Sequence, residues 1–148
     1  MEIRRATPAD GPGFIALVLA LADMEKLEPP TQEAQQRLLE HAFGQSPPFQ
    51  LWVADGDGAV VAYAVTFLTY STFRAMPTLY LEDLFVSPAA RRPGIATAIL
   101  NRLRDHGRDL GCARFEWIVL DWNQDARALY EKFGATVFEE FRLCRVNL

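Results

Sequence analysis

The sequence predicts one domain, residues 1–148, with a mixed α/β fold in which helices flank a central, mostly antiparallel sheet. Two observations carry this prediction. The middle of the chain holds three β-rich runs, Gln50–Ala54, Ala59–Thr69 and Thr78–Val86, and the first two are joined by Asp55-Gly56-Asp57-Gly58, which is typical of a hairpin. A helical stripe over Gly94–Leu110 then separates two strand candidates. We expect this crossover to make its flanking strands parallel.

The N-terminal third predicts a short strand and two helices. Glu2–Ala6 is the strand candidate, and Pro8–Ala22 carries apolar residues at helical spacing. Thr31–Phe43 is the second helix, because Thr31 is a suitable N-cap and Gly44 a suitable stop.

The C-terminal third predicts a strand, a helix and a last strand. After the Gly94–Leu110 helix, these elements are Ala113–Leu120, Gln124–Phe133 closed by Gly134, and Phe141–Val146.

Composition excludes several function classes. The chain carries 15 basic and 19 acidic residues, a formal charge of −4, so it lacks the basic excess of a nucleic-acid binder. The two cysteines, Cys112 and Cys144, have no zinc-site spacing and form no disulfide framework. With only two histidines besides, we expect no metal.

The N-terminus superficially resembles a signal peptide, with two arginines before the apolar run Phe14–Ala22. Glu2 and Asp10 interrupt the supposed basic region, and the run has the spacing of an amphipathic helix. It is also far shorter than a membrane span. We therefore expect a soluble, cytoplasmic protein that has no membrane partner.

The segment Arg91-Arg92-Pro93-Gly94-Ile95-Ala96 joins a hydrophobic strand to a helix. The unpaired N–H groups of a helix N-terminus attract a phosphate or pyrophosphate, the glycine permits close backbone approach, and the arginines add positive charge. The alternative is an ordinary loop with a basic pair and a Pro-Gly turn.

Two adjacent acids, Glu82 and Asp83, interrupt the apolar strand Tyr80–Val86. Alternation directs them to opposite faces unless a bulge intervenes. We prefer a functional carboxylate, because the strand leads directly into the anion loop, over solvated acids on an edge strand.

A third segment is Trp122-Asn123, followed by a helix that carries Tyr130 and ends at Gly134-Ala135. Asn123 can cap this helix. Taken alone, Tyr130 is a core residue with a hydrogen-bonded hydroxyl.

In this order the three segments resemble the GNAT superfamily of N-acetyltransferases, and within it the diamine (spermidine/spermine) and thialysine acetyltransferases. Arg91 to Ala96 is similar to the superfamily's Arg/Gln-x-x-Gly-x-Gly/Ala loop, and Tyr80–Val86 to the subfamily's Tyr-Leu-Glu-Asp-Phe-Phe-Val strand. The likeness runs from Ile3 to about Leu143. It implies a GNAT-like sheet, acetyl-CoA as co-substrate and, as is common in the family, a homodimer.

The resemblance also implies a cofactor site. Its residues are Leu84, Phe85 and Val86, whose backbone pairs with the pantetheine arm; Arg91, Arg92, Pro93, Gly94, Ile95, Ala96 and Thr97 around the pyrophosphate; and Asn123, Gln124, Asp125 and Ala126 beside the cofactor. Pro93 has no N–H, so this loop offers one donor fewer than the family pattern.

For catalysis, the resemblance assigns Tyr130 as the acid that protonates the departing thiolate and Glu82 as the acid that contacts the amine. The implied substrate-side residues are Glu25, Glu82, Asp83, Glu116, Trp117 and Ile118, the last three on a strand. Glu139 or Glu140 also contacts substrate, and the sequence leaves open which one.

These residues predict that the acetyl group passes to a primary amine of a small di- or polyamine, or of a thialysine-like amino acid, by direct attack. An acidic channel suits such cations, and the net charge of −4 attracts them. The alternatives are merely solvated acids, a peptide or protein N-acetyltransferase with an open groove, and a non-catalytic acyl-CoA sensor.

Overall fold

A computed structural model of the chain describes residues 1–90 and 94–148. The described elements are strands β1 (Glu2–Arg5), β2 (Gln50–Gly56), β3 (Ala59–Ser71), β4 (Met76–Val86) and β5 (Arg114–Glu116), and helices α1 (Gly11–Met24), α2 (Gln32–Phe43), α3 (Ile95–Asp109) and α4 (Gln124–Phe133). Short 3₁₀ turns cover Pro8–Asp10 and Pro88–Ala90. The chain forms two compact units, Met1–Trp117 and Ile118–Leu148.

The first unit contains a sheet with the strand order β1-β2-β3-β4-β5. The first four strands are antiparallel neighbours, while β4 and β5 are parallel and are connected through α3. The predicted mixed fold and its single parallel crossover are therefore confirmed.

Helices α1 and α3 cover different sheet residues. Phe14 of α1 packs edge-on against Tyr63 of β3, with 5.1 Å between ring centroids, in an apolar cluster that includes Leu51 and Phe85. Trp52, one residue along β2 from Leu51, meets α3 instead. Its ring lies 4.9 Å from the His106 ring, and its indole N–H donates to the Thr66 hydroxyl at 3.1 Å.

A buried ion-pair network joins β1 to the start of α1. Arg4 donates to both carboxylate oxygens of Asp10, at 2.8 and 3.0 Å, and to Asp55 at 3.0 Å. The Thr7 backbone N–H also donates to Asp10, at 2.7 Å. The hydrogen bonds from Arg4 lower the pKa of Asp10 to about 2, so this carboxylate stays charged and holds the corner between the two elements.

Strand β4 contains a β-bulge. Val65 pairs with Asp83, but the next residue, Thr66, pairs with Leu81, so Glu82 is an extra residue with no partner on β3. A bulge of this kind changes the direction of the side chain that it carries and increases the local twist.

The second unit, Ile118–Leu148, is organised around α4. The Asn123 side chain accepts from the Ala126 N–H at 3.1 Å, and Gly134 ends the helix in a left-handed conformation with φ 106°. The predicted helix, its cap and its stop are confirmed. Arg127 pairs with Asp121 at 3.1 Å and with Glu139.

Two predicted strands are wrong in whole or in part. Ala113–Leu120 is a strand only over Arg114–Glu116, because its pairing with β4 ends at Tyr80, directly before the bulge. Phe141–Val146 is not a strand: within Ile118–Leu148, all of which the structure describes, there is no strand with which it could pair. A strand satisfies its backbone groups by pairing with another strand, so apolar residues alone do not make a segment a strand.

Candidate active site

The bulge brings Glu82 and Asp83 to one pocket. Both acids line a cavity of about 390 Å³, whereas strict alternation would separate them. The remaining lining is apolar: Phe14 and Val18 of α1, Leu38 of α2, Pro48 and Phe49 before β2, and Val65 and Phe67 of β3. We call this cavity the acidic pocket.

Asp83 is the half-buried acid of the pocket, whereas Glu82 is exposed. Burial raises the pKa of Asp83 to about 6, and the negative charges of Glu82 and Glu25 act in the same direction. Burial also raises the pKa of Glu25, which caps the C-terminus of α1. Three predicted substrate-side acids thus come together within the first unit, and a cation would relieve their mutual repulsion.

Tyr63 lies next to the acidic pocket, and the sequence reasoning did not single it out. It lies two residues from Val65 on β3, on the same face as Asp83, and its ring is fully buried between Phe14 and Phe85. Its hydroxyl interacts with the Asp83 carboxyl, and burial raises its pKa far above the usual value for a tyrosine. The sequence signal for it was a tyrosine inside an otherwise apolar strand, since a buried phenol requires a polar neighbour.

Beyond Tyr80, β4 has an unpaired backbone edge. The ladder to β5 ends at the pair Tyr80–Glu116, and among the described residues no other strand pairs with that edge over Glu82–Val86. The Phe85 side chain belongs to the apolar core, and its backbone faces Tyr63 of β3, so the backbone groups at the unpaired edge are those of Leu84 and Val86. Leu84 and Val86 are half-buried.

The start of α3 fits a bound pyrophosphate. Gly94 adopts φ 101° as the N-cap, and a Cβ atom placed there would meet no atom of the described chain within 4 Å. Ile95, Ala96 and Thr97 follow as the first turn, whose N–H groups lack partners inside the helix. Arg91, Arg92 and Pro93 of the predicted loop lie outside the described residues.

Glu116 lies opposite Tyr80 at the end of β5. Burial raises the pKa of Tyr80, and the charges of Glu82 and Glu116 add to the effect, so Glu116 belongs to the same acidic surroundings. Trp117 and Ile118 were expected on this strand, but they follow its last residue. The Trp117 ring packs against the Phe115 ring at an angle of 58°, and Ile118 begins the second unit.

The second unit carries the other predicted residues. Asn123 caps α4, and Gln124, Asp125 and Ala126 form its first turn. Tyr130 is half-buried in the same helix, and its carbonyl accepts from the Ala135 N–H at 2.9 Å. Of the two candidate tail acids, Glu139 is engaged by Arg127.

The sequence profile of the acetyltransferase (GNAT) family matches residues 18–135. The chain belongs to the GNAT acetyltransferase family. The predicted family and enzyme class, an acyltransferase, are therefore confirmed.

Several relatives of this acetyltransferase are named for small amines. It is 33% identical over 141 residues to a thialysine N-epsilon-acetyltransferase of Bos taurus, an alignment that covers 90% of this chain and 82% of that protein. An L-ornithine N5-acetyltransferase of Arabidopsis thaliana is 40% identical over 91 residues, 62% of this chain and 40% of that protein. A solved aminoglycoside N-acetyltransferase in complex with CoA has a TM-score of 0.75 and 19% identity over 99% of this chain and 100% of that one, which shows the shared fold.

The described ranges of the acetyltransferase hold neither a membrane span nor a metal cluster. No helix in residues 1–90 or 94–148 combines the length and apolarity needed to cross a membrane. In the same residues, no group of three or more histidine, cysteine or acidic side chains could hold a metal ion.

Proposed function

We propose that this GNAT enzyme transfers an acetyl group from acetyl-CoA to the primary amine of a small di- or polyamine, or of a thialysine-like amino acid, by direct attack. The observation that carries the proposal is the acidic pocket, in which Glu82 and Asp83 face an otherwise apolar lining and Glu25 adds its charge. Thialysine and ornithine, named for two relatives, both carry a terminal primary amine and a second charged amine.

The pocket supports a flexible dication better than a single amine. Its apolar walls favour the methylene chain of such a substrate, and its acids offer more than one carboxylate to the charged ends. With a pKa of about 6, Asp83 is mostly ionised at pH 7, and a bound ammonium would ionise it further. We assign Asp83 to the second cationic group and Glu82 to the amine that is acetylated.

For the cofactor, we assign the unpaired edge of β4 and the start of α3. The backbone N–H groups of Leu84 and Val86 point away from β3, so they can bind the pantetheine arm and stabilise negative charge on the reacting carbonyl oxygen. Gly94 leaves room at the α3 N-terminus for the pyrophosphate. Acetyl-CoA, when bound, supplies the acetyl thioester and a thiolate leaving group.

Two proton transfers complete the assignment. A primary amine with a pKa of about 10 is mostly ammonium at pH 7, and a carboxylate is too weak a base to take its proton efficiently. Glu82 is exposed, so it can hold the ammonium and pass its proton through water to solvent. Tyr130 then gives its phenolic proton to the thiolate, a step that needs only modest help because thiols have a pKa of about 8.5.

The experiment is steady-state acetylation of matched amines, followed by release of the CoA thiol. We expect putrescine, spermidine, ornithine and thialysine to exceed butylamine in kcat/KM by about 5–150-fold, the value of one charge-assisted hydrogen bond. The advantage should shrink in Glu25→Gln. The matched control is Glu28→Gln, which makes the same change at an exposed position three residues away.

Two results would contradict the proposed substrate class. Butylamine could match putrescine, in which case the second cation is not recognised. A lysine-containing peptide could exceed every small amine, which would favour a peptide or protein N-acetyltransferase. If CoA binds but no amine is acetylated, the protein is an acyl-CoA sensor instead.

A further inference from the structure

The buried hydroxyl of Tyr63 is an unusual group for the centre of an apolar sheet. The residue has no exposed surface, and its hydroxyl makes no hydrogen bond of regular geometry with any described residue. A buried polar group without a partner costs free energy, about 1–3 kcal/mol in mutational data. A phenylalanine would fill the same space without this cost, so packing alone does not account for the tyrosine.

The register of the sheet explains what the hydroxyl faces. Tyr63 pairs with Phe85 and Val65 pairs with Asp83, so Tyr63 and Asp83 are diagonal neighbours on one sheet face. The Tyr63 ring is held between Phe14 and Phe85, with centroid distances of 5.1 and 6.5 Å. The register therefore places the Asp83 side chain on the same sheet face as the held ring, and the hydroxyl and the carboxyl interact electrostatically.

The charges around Asp83 come from three elements. Glu82 of β4 and Glu25 at the end of α1 disfavour a carboxylate at this position, whereas the Tyr63 hydroxyl of β3 favours it. The residues of α2 and of the segment before β2 that line the pocket, Leu38, Pro48 and Phe49, are apolar. Among the described groups acting on Asp83, Tyr63 is thus the one that stabilises its charged form.

We infer that Tyr63 is a positioning and specificity-determining residue: its hydroxyl holds Asp83 as an oriented carboxylate that binds the second cationic group of the amine. The inference rests on the proposed function for the identity of the ligand. It assigns a substrate-selecting role to a residue that contacts the substrate only through Asp83. Without the hydroxyl, Asp83 would retain its proton at higher pH and would bind a cation less well.

The test is Tyr63→Phe, measured as the ratio of its kcat/KM for putrescine to that of the native enzyme from pH 6 to pH 9. Ionisation of the amine itself cancels in this ratio. We expect a ratio of about 0.2 at pH 6 and about 0.3 at pH 6.5 that rises towards 1 at pH 9, with the loss in KM rather than in kcat. Butylamine, which has no second cation, should show a flat ratio near 1.

Tyr70→Phe is the matched control, because it removes a hydroxyl from an exposed position of the same strand. It should leave the ratio at 1 at every pH. In an Asp83→Asn background, Tyr63→Phe should no longer change the pH dependence, since the titrating group is absent.

A titration of the ¹³C-labelled Asp83 carboxyl by NMR separates this inference from the proposed function, because it needs no substrate. We expect Tyr63→Phe to move the Asp83 titration upward by about one pH unit. An unchanged titration overturns the inference whatever the substrate is. A moved titration without any putrescine turnover supports the Tyr63–Asp83 coupling and rejects only the proposed amine.

Discussion

Asp83 is the residue at which stability and function conflict. Its pKa of about 6 lies above that of an exposed aspartate, so the folded chain binds its proton more tightly than the unfolded chain does. The sign follows from linkage: this group lowers stability as the pH rises from about 4 to about 6, and above pH 6 the full cost of the buried charge is present. A cation-binding carboxylate therefore destabilises the free enzyme.

Asp83→Asn should remove this cost. We expect the free energy of unfolding to rise by about 1–3 kcal/mol at pH 8 and by only about 0.5 kcal/mol at pH 4, where the native carboxyl is protonated in the folded state and about half protonated in the unfolded state. Urea unfolding of the ligand-free protein at the two pH values measures the difference. A gain of equal size at pH 4 and pH 8 would show that the charge is not its cause.

Tyr130→Phe tests the assigned general acid. The variant keeps the ring but loses the proton donor, so kcat should fall about 10²–10⁴-fold, with a much smaller change in the KM for acetyl-CoA. Rapid-quench measurement of the chemical step gives the comparison. If the chemical step keeps a near-native rate in this variant, Tyr130 is a core residue and not the general acid.

At this scale, sequence reasoning found the acids but not their arrangement. Glu82 and Asp83 were recognisable as two charges in an apolar strand. Which face each occupied depended on a bulge, and a bulge is a property of the register with β3 rather than of β4 alone. Tyr63 was missed for the same reason, since its nearness to Asp83 arises from pairing between strands.

Among the elements, α3 begins at a glycine to which we assign both a structural and a binding role. Gly94 has φ 101° with open space where a side chain would begin. A leucine there would be strained by about 1–2 kcal/mol and would also occupy the space assigned to the pyrophosphate. A second glycine with a positive φ and open space around it follows this helix. The effect of a substitution on CoA binding can therefore be separated from its effect on stability.

That glycine is Gly111, with φ 74° and no described atom within 4 Å of the position that a Cβ would take. We expect Gly94→Leu and Gly111→Leu to lose similar unfolding free energy, but only Gly94→Leu to weaken CoA binding, by at least about tenfold in calorimetry. Equal CoA affinities for the two variants would remove the α3 N-terminus from the cofactor site.

Helix ends, which depend on capping residues close by in the sequence, were predicted well. Strand limits, which depend on pairing with another strand, were not. Thr31 caps α2 through the Ala34 N–H and Asn123 caps α4, both within three residues of the acceptor. Where β5 ends, and whether Phe141–Val146 forms a strand, depends on the presence of another strand to pair with. The apolar residues of a segment do not determine how many of its residues pair with a neighbouring strand.

The charge of the whole molecule should affect substrate capture. A formal charge of −4 attracts polyamine cations, and salt screens this attraction over a Debye length of about 10 Å at 0.1 M. We expect kcat/KM for spermidine to fall about 3–10-fold between about 50 and 500 mM NaCl, and that for butylamine to fall less. Equal salt sensitivity would mean that the number of charges on the substrate is not sensed.

The bulge at Glu82 also bears on how this strand tolerates changes of length. The residues on either side of Glu82 pair with consecutive residues of β3, Leu81 with Thr66 and Asp83 with Val65. An uninterrupted ladder without Glu82 would have the same register. Deleting this one residue would therefore leave every other side chain of β4 on its present face, whereas deleting a paired residue would invert the half-strand beyond it. The fold therefore does not depend on the residue that we assign to the acetylated amine. A lineage that lost this one codon would thus keep the fold without the acid assigned to the amine, as a starting point for another activity.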